Sequence, residues 1–201
     1  MATIYDLKPR FQALLRPATS SLARSGVTAN QVTVAALLLS VATGGAIAAF
    51  PGARPVLLLI PAVLFVRMAL NAVDGMLARE HGMKSNLGAV LNELGDVLSD
   101  AALYLPLALV PGFPAGLVVI AVMLAIVSEM TGVVAVQIGA SRRYDGPMGK
   151  SDRAFVFGLA ALLVGFGVPS GRWLTAALVL VIALLVLTIV NRSRHALREA
   201  R

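Results

Sequence analysis

The stretch NAVDGMLAREHGMKSNLGAVLNELGDVLSD, residues 71–100, places Asp74, Arg79, Glu93, Asp96 and Asp100 between two apolar segments. Their spacing is regular. Asn71 and Asp74 are one helical turn apart, and Asn92, Asp96 and Asp100 follow at intervals of four. On helices, each set occupies one face. Two helices meeting along those faces would bring several oxygen ligands to one point, and an all-oxygen cluster suits a hard divalent cation such as Mg²⁺ or Mn²⁺. Gly75, Gly88 and Gly95 remove side chains beside the acids, which permits close helix packing or close approach of a ligand. The same acids could instead serve as polar glue between helices or as a proton or ion path.

The elements that position these residues follow from composition. Of 201 residues, 58% are hydrophobic and 13% charged, well above the apolar share of a water-soluble domain. There is no cysteine, so disulfides and thiolate chemistry are excluded. The net charge of +7 on so apolar a chain fits membrane topology and anionic lipid better than nucleic acid. No apolar run precedes the N-terminal charges, so a cleavable signal peptide is not expected. A spanning helix needs about 20 mostly apolar residues. Six candidates occur, near 32–50, 56–77, 87–110, 117–138, 154–166 and 173–190. The third is the least hydrophobic. No internal repeat of the kind found in many transporters is visible.

Fourteen of the seventeen Lys and Arg fall in the N-terminal segment, in the segments after spans two and four, and at the C-terminus. The positive-inside rule then places both termini in the cytoplasm. Leu7, Phe11, Leu14 and Leu15 share a helical face within a basic segment, so residues 1–26 read as an amphipathic interfacial helix; a loose basic leader is the alternative. The expected architecture is an all-α integral membrane protein: this helix, then a six-helix transmembrane domain over 27–201.

At the motif level the chain resembles the CDP-alcohol phosphotransferases, whose signature is D-x2-D-G-x2-A-R-x8-G-x3-D-x3-D. Asp74, Gly75, Ala78, Arg79, Gly88 and Asp96 fall on it without a gap. Asn71 and Asn92 stand where the first and third aspartates are usual, as in an enterobacterial inner-membrane subgroup that the chain resembles. The segment 27–40 is similar to the family's entry to the first span, and GPMGKSDR (146–153) looks like the basic opening of the fifth.

The resemblance implies transfer of a substituted phosphate from a CDP-alcohol, with CDP-diacylglycerol the expected donor, to a second alcohol. CMP is released, in phospholipid biosynthesis. It implies one or two Mg²⁺ or Mn²⁺ ions held by Asn71, Asp74, Asn92 and Asp96. Asp96 is the implied general base, with Asp100 in reserve, and Arg79 the grip on the donor diphosphate. Gly75 and Ala78 leave room for the nucleotide, with Asn30 and Thr33 beside it. Asn30 also suits a helix cap, as does Thr28. Lys150, Arg153, Arg142 and Arg143 are the expected acceptor-phosphate pocket, or a topology signal only. The family implies a homodimer in the bacterial inner membrane. Neutral Asn71 and Asn92 keep open a catalytically silent nucleotide-lipid-binding relative, and the intramembrane acids an ion or proton transporter. Arg67, inside span two, would pair with Glu129 or with the carboxylates of the site. His81 and His195 read as loop residues. Trp173 and Tyr104 fit interfacial or packing roles, and Met68, Met76 and Met83 fill the core.

Overall fold

The computed structural model describes residues 4–200, with side chains from Arg10 onward; the expectations for the side chains of Leu7 and Lys8 and for Arg201 lie outside the described residues. Among the described residues the chain is all-helical, without a strand. The helices are α1 (Ile4–Arg24), α2 (Ala29–Ala49), α3 (Arg54–Leu57), α4 (Leu59–Glu80), α5 (Asn86–Tyr104), α6 (Ala115–Gln137), α7 (Lys150–Gly165) and α8 (Arg172–Glu199). A 3₁₀ turn, Leu105–Leu109, prolongs α5, with Pro106 near its start where a missing backbone donor is tolerated.

The breaks are encoded locally. At the start of α2, Gln31 N–H donates to Thr28 Oγ1 (3.3 Å) and Thr28 N–H donates to Gln31 Oε1 (2.9 Å), a reciprocal capping box. Thr28 therefore caps α2, and Asn30 is released for another task. Ser85 caps α5 by accepting Gly88 N–H at 2.9 Å. Gly26, Gly82, Gly112 and Gly167 take positive φ in the connections, where a side chain would strain the backbone.

Four segments are long and apolar enough to cross a membrane: Ala29–Ala49, Arg54–Glu80, Ala115–Gln137 and Arg172–Glu199. The third and fifth expected spans are present as helices, α5 and α7, but α7 has only 16 residues and α5 carries the acids. On α6 the outward positions Val119, Ile120, Met123, Val127 and Met130 are as apolar as the buried Val118, Ala121, Val122 and Ala125. Such an all-round apolar helix is built for lipid. On α5 the polarity is inverted relative to a helix in water. Leu87, Val90, Leu94 and Leu98 are exposed in one stripe, while Ser99 and Asp100 are buried.

The chain forms two compact units. The first comprises residues 1–41 and 62–99. Its core is Ala29, Val32, Val73, Met76 and Leu77, against which Leu15 and Leu22 of α1 pack. Phe11 meets Phe65 edge-on at 6.3 Å, and Arg16 makes a two-pronged ion pair with Glu80, both bonds 3.1 Å. Part of the apolar face of α1 thus covers protein, while Leu14 remains 75% exposed. The second unit comprises residues 42–61 and 100–201. There α6 packs along α8, and α7 packs against α3 and α8. Tyr104 stacks on Phe157 at 4.4 Å, so Tyr104 is a core residue.

Candidate active site

In the first unit, α2, α4 and α5 enclose a cavity of about 330 Å³. Its wall includes Asn30, Thr33, Asp74, Gly75, Ala78, Arg79, Gly88 and Asn92, together with Lys84 and Ser85 of the α4–α5 turn. Asp74 is buried at 6% exposure. The Thr33 hydroxyl lies 2.9 Å from Asp74 Oδ2 and 3.1 Å from the Ala29 carbonyl; its single proton serves the nearer, charged acceptor. Room for this arrangement depends on glycine. A Cβ at Gly88 would stand 2.8 Å from Asn30 Oδ1, and one at Gly75 would press on the Arg79 guanidinium at 3.0 Å.

Asn71 and Asp96 are half-buried residues of the same unit and are not among those lining the cavity. Among the described residues no group of three or more His, Cys, Asp or Glu is gathered as for a metal ion. The donor set around the cavity is one buried carboxylate, Asp74, and amide oxygens such as that of Asn92. This chemistry fits one hard cation of the Mg²⁺ type, which takes one or two carboxylates and completes its shell with water and phosphate.

The second unit holds the other expected site residues in an ion-pair network. Glu129 on α6 meets Arg142 (3.0 Å), Arg153 (3.0 Å) and Arg192 (3.4 Å). Arg153, 1% exposed, also donates to Asp100 at 3.2 Å, so one guanidinium on α7 bridges acids from α5 and α6. Arg192 further donates to the carbonyls of Ser128 and Asp145. Gly132 makes space for Arg142, whose guanidinium a Cβ there would strike. Three guanidiniums thus face two carboxylates. Lys150 opens α7, half-buried.

The connection from α6 to α7 is strapped to the last turns of α8. Ser141 N–H and Oγ–H donate to Glu199 at 2.9 Å each, Arg143 pairs with Glu199 and Asp145, and Met148 N–H donates to Thr188 Oγ1 at 3.0 Å. His195 lies on α8 and faces Asp145 at 3.3 Å. The expectation of a loop histidine is therefore corrected: α8 runs beyond 190 and carries Arg192, His195 and Glu199 on helical turns. Burial pushes the Asp145 carboxyl up, but the Arg143 hydrogen bond and charge, with His195, outweigh it and hold it below the ordinary range.

The sequence reading did not associate Lys84 and Ser85 with the cavity, nor Arg192 with Glu129. The signals were present but weak: a Ser three residues before Gly88, and an arginine on a helix extension that looked like a basic tail.

The chain as a whole is similar to known proteins. Residues 26–197 match the family model described as CDP-alcohol phosphatidyltransferase. This chain belongs to the CDP-alcohol phosphatidyltransferase family. It is 47% identical over 196 residues to the inner membrane protein YnbA of Escherichia coli K12, covering 97% of this chain and 96% of that one. It is also similar to crystal structures of Mycobacterium tuberculosis phosphatidylinositol phosphate synthase (PgsA1). The complex with manganese and citrate superposes with a TM-score of 0.77 at 25% identity, covering 90% of this chain and 88% of that one. The form with CDP-DAG bound gives 0.76 at 26% identity, covering 92% of each. The phosphotransferase signature in residues 71–96 is thus matched by a family model that spans nearly the whole chain.

Proposed function

We propose that this phosphatidyltransferase relative moves a phosphatidyl group from CDP-diacylglycerol to a second alcohol and releases CMP, as a six-span protein of the bacterial inner membrane with both termini in the cytoplasm. The observation that carries the reading is the convergence of Asn30, Thr33, Asp74, Gly75, Ala78, Arg79, Gly88 and Asn92 on one cavity. The PgsA1 structure with CDP-DAG bound supports the choice of donor. The inverted polarity of α5 and the exposed Phe155 and Leu159 of α7 support six spans. Exposed Arg16 and Leu14 on α1 support an interfacial helix.

Each residue then has a task. Asp74, positioned by the Thr33 hydroxyl, and the Asn92 amide hold a divalent cation, with Asn71 a further oxygen donor. When bound, that cation neutralises phosphate oxygens as the diphosphate breaks. Arg79 grips the diphosphate through charge-assisted bonds. Lys84, on the same wall, adds a second cation. Asp96 takes the proton from the acceptor hydroxyl. Asp100, bonded to Arg153, is assigned to holding that arginine. The surplus positive charge of the Arg142–Arg153–Arg192 network, with Lys150, suits an acceptor that carries a phosphate or carboxylate.

The test is CMP release by purified protein with CDP-diacylglycerol or CDP-choline as donor. Acceptors are glycerol 3-phosphate, serine and inositol phosphate, each with Mg²⁺, Mn²⁺ or chelator. Metal-dependent CMP release lost in Asp96→Asn supports the proposal. A second reading, a silent relative that binds the nucleotide lipid, is favoured by the neutral Asn71 and Asn92. It predicts CDP-diacylglycerol binding without turnover, and activity gained in Asn71→Asp/Asn92→Asp. With the family assigned, no observation favours a transporter.

A further inference from the structure

The second unit contains another cavity, of about 380 Å³, beside the connection that follows α2. It is lined by the α2–α3 connection (Pro51, Gly52), Arg54 and Leu57 of α3, Val110 and Pro111, Val164 of α7, and Val168, Pro169 and Ser170 of the connection that follows it. Three of its apolar lining residues, Leu57, Val110 and Val164, are buried, at 2%, 4% and 7% exposed. Pro51, Pro111 and Pro169 stiffen its rim.

Arg54 is the charge in this wall. It is exposed and makes no side-chain hydrogen bond or ion pair among the described residues. Acidic partners are absent from the sequence around it: residues 42–61, 101–128 and 153–198 contain no Asp or Glu. Here a guanidinium is left uncompensated, in contrast to the Glu129 network. The backbone also makes way for it. Gly167 adopts φ +91°, and a Cβ there would stand 3.3 Å from Arg54 Nη1. An uncompensated guanidinium beside apolar side chains is complementary to an oxyanion attached to an apolar body, and at a membrane surface the abundant group of that kind is the phosphodiester of a phospholipid. Placed at a membrane surface, such a cavity faces the head groups of the leaflet.

We propose that this cavity is a phosphate-binding site for an anionic phospholipid, with Arg54 holding the phosphodiester and Leu57, Val110 and Val164 meeting the glycerol and upper acyl chain. The site goes beyond the transfer reaction and requires only that the chain spans a membrane.

The only tryptophan in the chain reports on it. Trp173 Nε1–H donates to the carbonyl of Pro169, a cavity residue, at 2.8 Å. The experiment measures Trp173 quenching in detergent–lipid micelles by phosphatidylglycerol or phosphatidylcholine brominated in the acyl chain, at equal low mole fraction. The wild type is expected to show stronger quenching by the anionic lipid. Arg54→Ala should lose that excess and Arg54→Lys retain part of it, with thermal unfolding of both variants near the wild type. A third arm adds inorganic phosphate. If phosphate alone shifts the Trp173 emission and abolishes the excess, in an Arg54-dependent way, the phosphate site stands and its source is free phosphate. Equal quenching by both lipids with no effect of phosphate overturns the proposal. So does an excess that Arg54→Ala leaves unchanged.

Discussion

The bridge from Arg153 to Asp100 and Glu129 allows a worked prediction. Both bonds come from one nitrogen, Nη2, at 3.2 and 3.0 Å, and the arginine side chain is 2% exposed. Replacing it by Met keeps the apolar volume and removes the charge. Breaking a buried pair from one side costs about 3–5 kcal/mol, because the remaining charge stays buried. Glu129 retains Arg142 and Arg192, so the loss falls mainly on Asp100, and the low end, about 3 kcal/mol, is expected. Neutralising Asp100 should recover part of it: Asp100→Asn in the Arg153→Met background should cost less than in the wild type, with a coupling of at least ~1.5 kcal/mol. Arg153→Lys should be the milder variant, since an ammonium can occupy the position of Nη2. The assay is SDS-titrated unfolding followed by Trp173 fluorescence and far-ultraviolet circular dichroism, for the wild type, both single variants and the double. A coupling below about 0.5 kcal/mol would show the two residues to be energetically independent and refute the reasoning.

Three further outcomes are expected. Thr33→Val removes the hydroxyl that orients Asp74 and should weaken Mn²⁺ binding about 10–100-fold, measured by electron paramagnetic resonance titration; unchanged affinity would show that this hydroxyl does not position a metal ligand. Gly88→Ala places a methyl 2.8 Å from Asn30 Oδ1 and should depress CMP release, whereas Gly95→Ala, 3.6 Å from Thr33 Cγ2, should leave it near the wild type. Asp145 has a folded pKa below its unfolded one, so its stabilisation is present above about pH 4 and is lost as pH falls through the folded value. Asp145→Asn should therefore flatten the acid limb of a plot of unfolding temperature against pH, and an unchanged limb would contradict the assignment.

Much of the cavity was legible because the signature that the chain shares with the CDP-alcohol phosphotransferases lies on one short stretch of it. Gly75, Ala78 and Arg79 follow Asp74 on one helix, so a spacing in sequence is already a spacing in space. Asn30 shows the limit of short-range rules. Thr28 and Asn30 are equally good caps by type, and Gln31 decides between them by completing a reciprocal pair with Thr28. The Glu129 network was not legible. Its members come from α6, α7, α8 and the connection at 142, and nothing local says which of many arginines meets which acid. The ends of helices were also hidden. Arg192 and His195 fell beyond the expected end of the sixth span at 190 because charge marks the membrane edge in sequence, whereas the backbone of α8 continues past it to Glu199.

In the six-span arrangement proposed above, the same network bears on how the chain is made. A charged residue opposes insertion most at the centre of a spanning helix, by about 2.5–3.5 kcal/mol, and less towards its ends; Arg153 stands near the N-terminal end of α7, which has only 16 residues to offset the cost. Synthesis runs from the N-terminus, so α5 and α6 bring Asp100 and Glu129 into the bilayer before their shared cation exists. Until α7 emerges, two acids wait in lipid without Arg153, and Arg192 arrives later still. Of these helices, α5 and α7 are thus poor transmembrane segments alone and adequate ones only in company. A chain stalled or truncated before residue 153 would keep Arg142 beside Glu129 but lack the cation that Glu129 shares with Asp100, and would present that incomplete network to the lipid bilayer and to membrane proteases. The ion pairs that hold the finished fold also mark the unfinished one for removal.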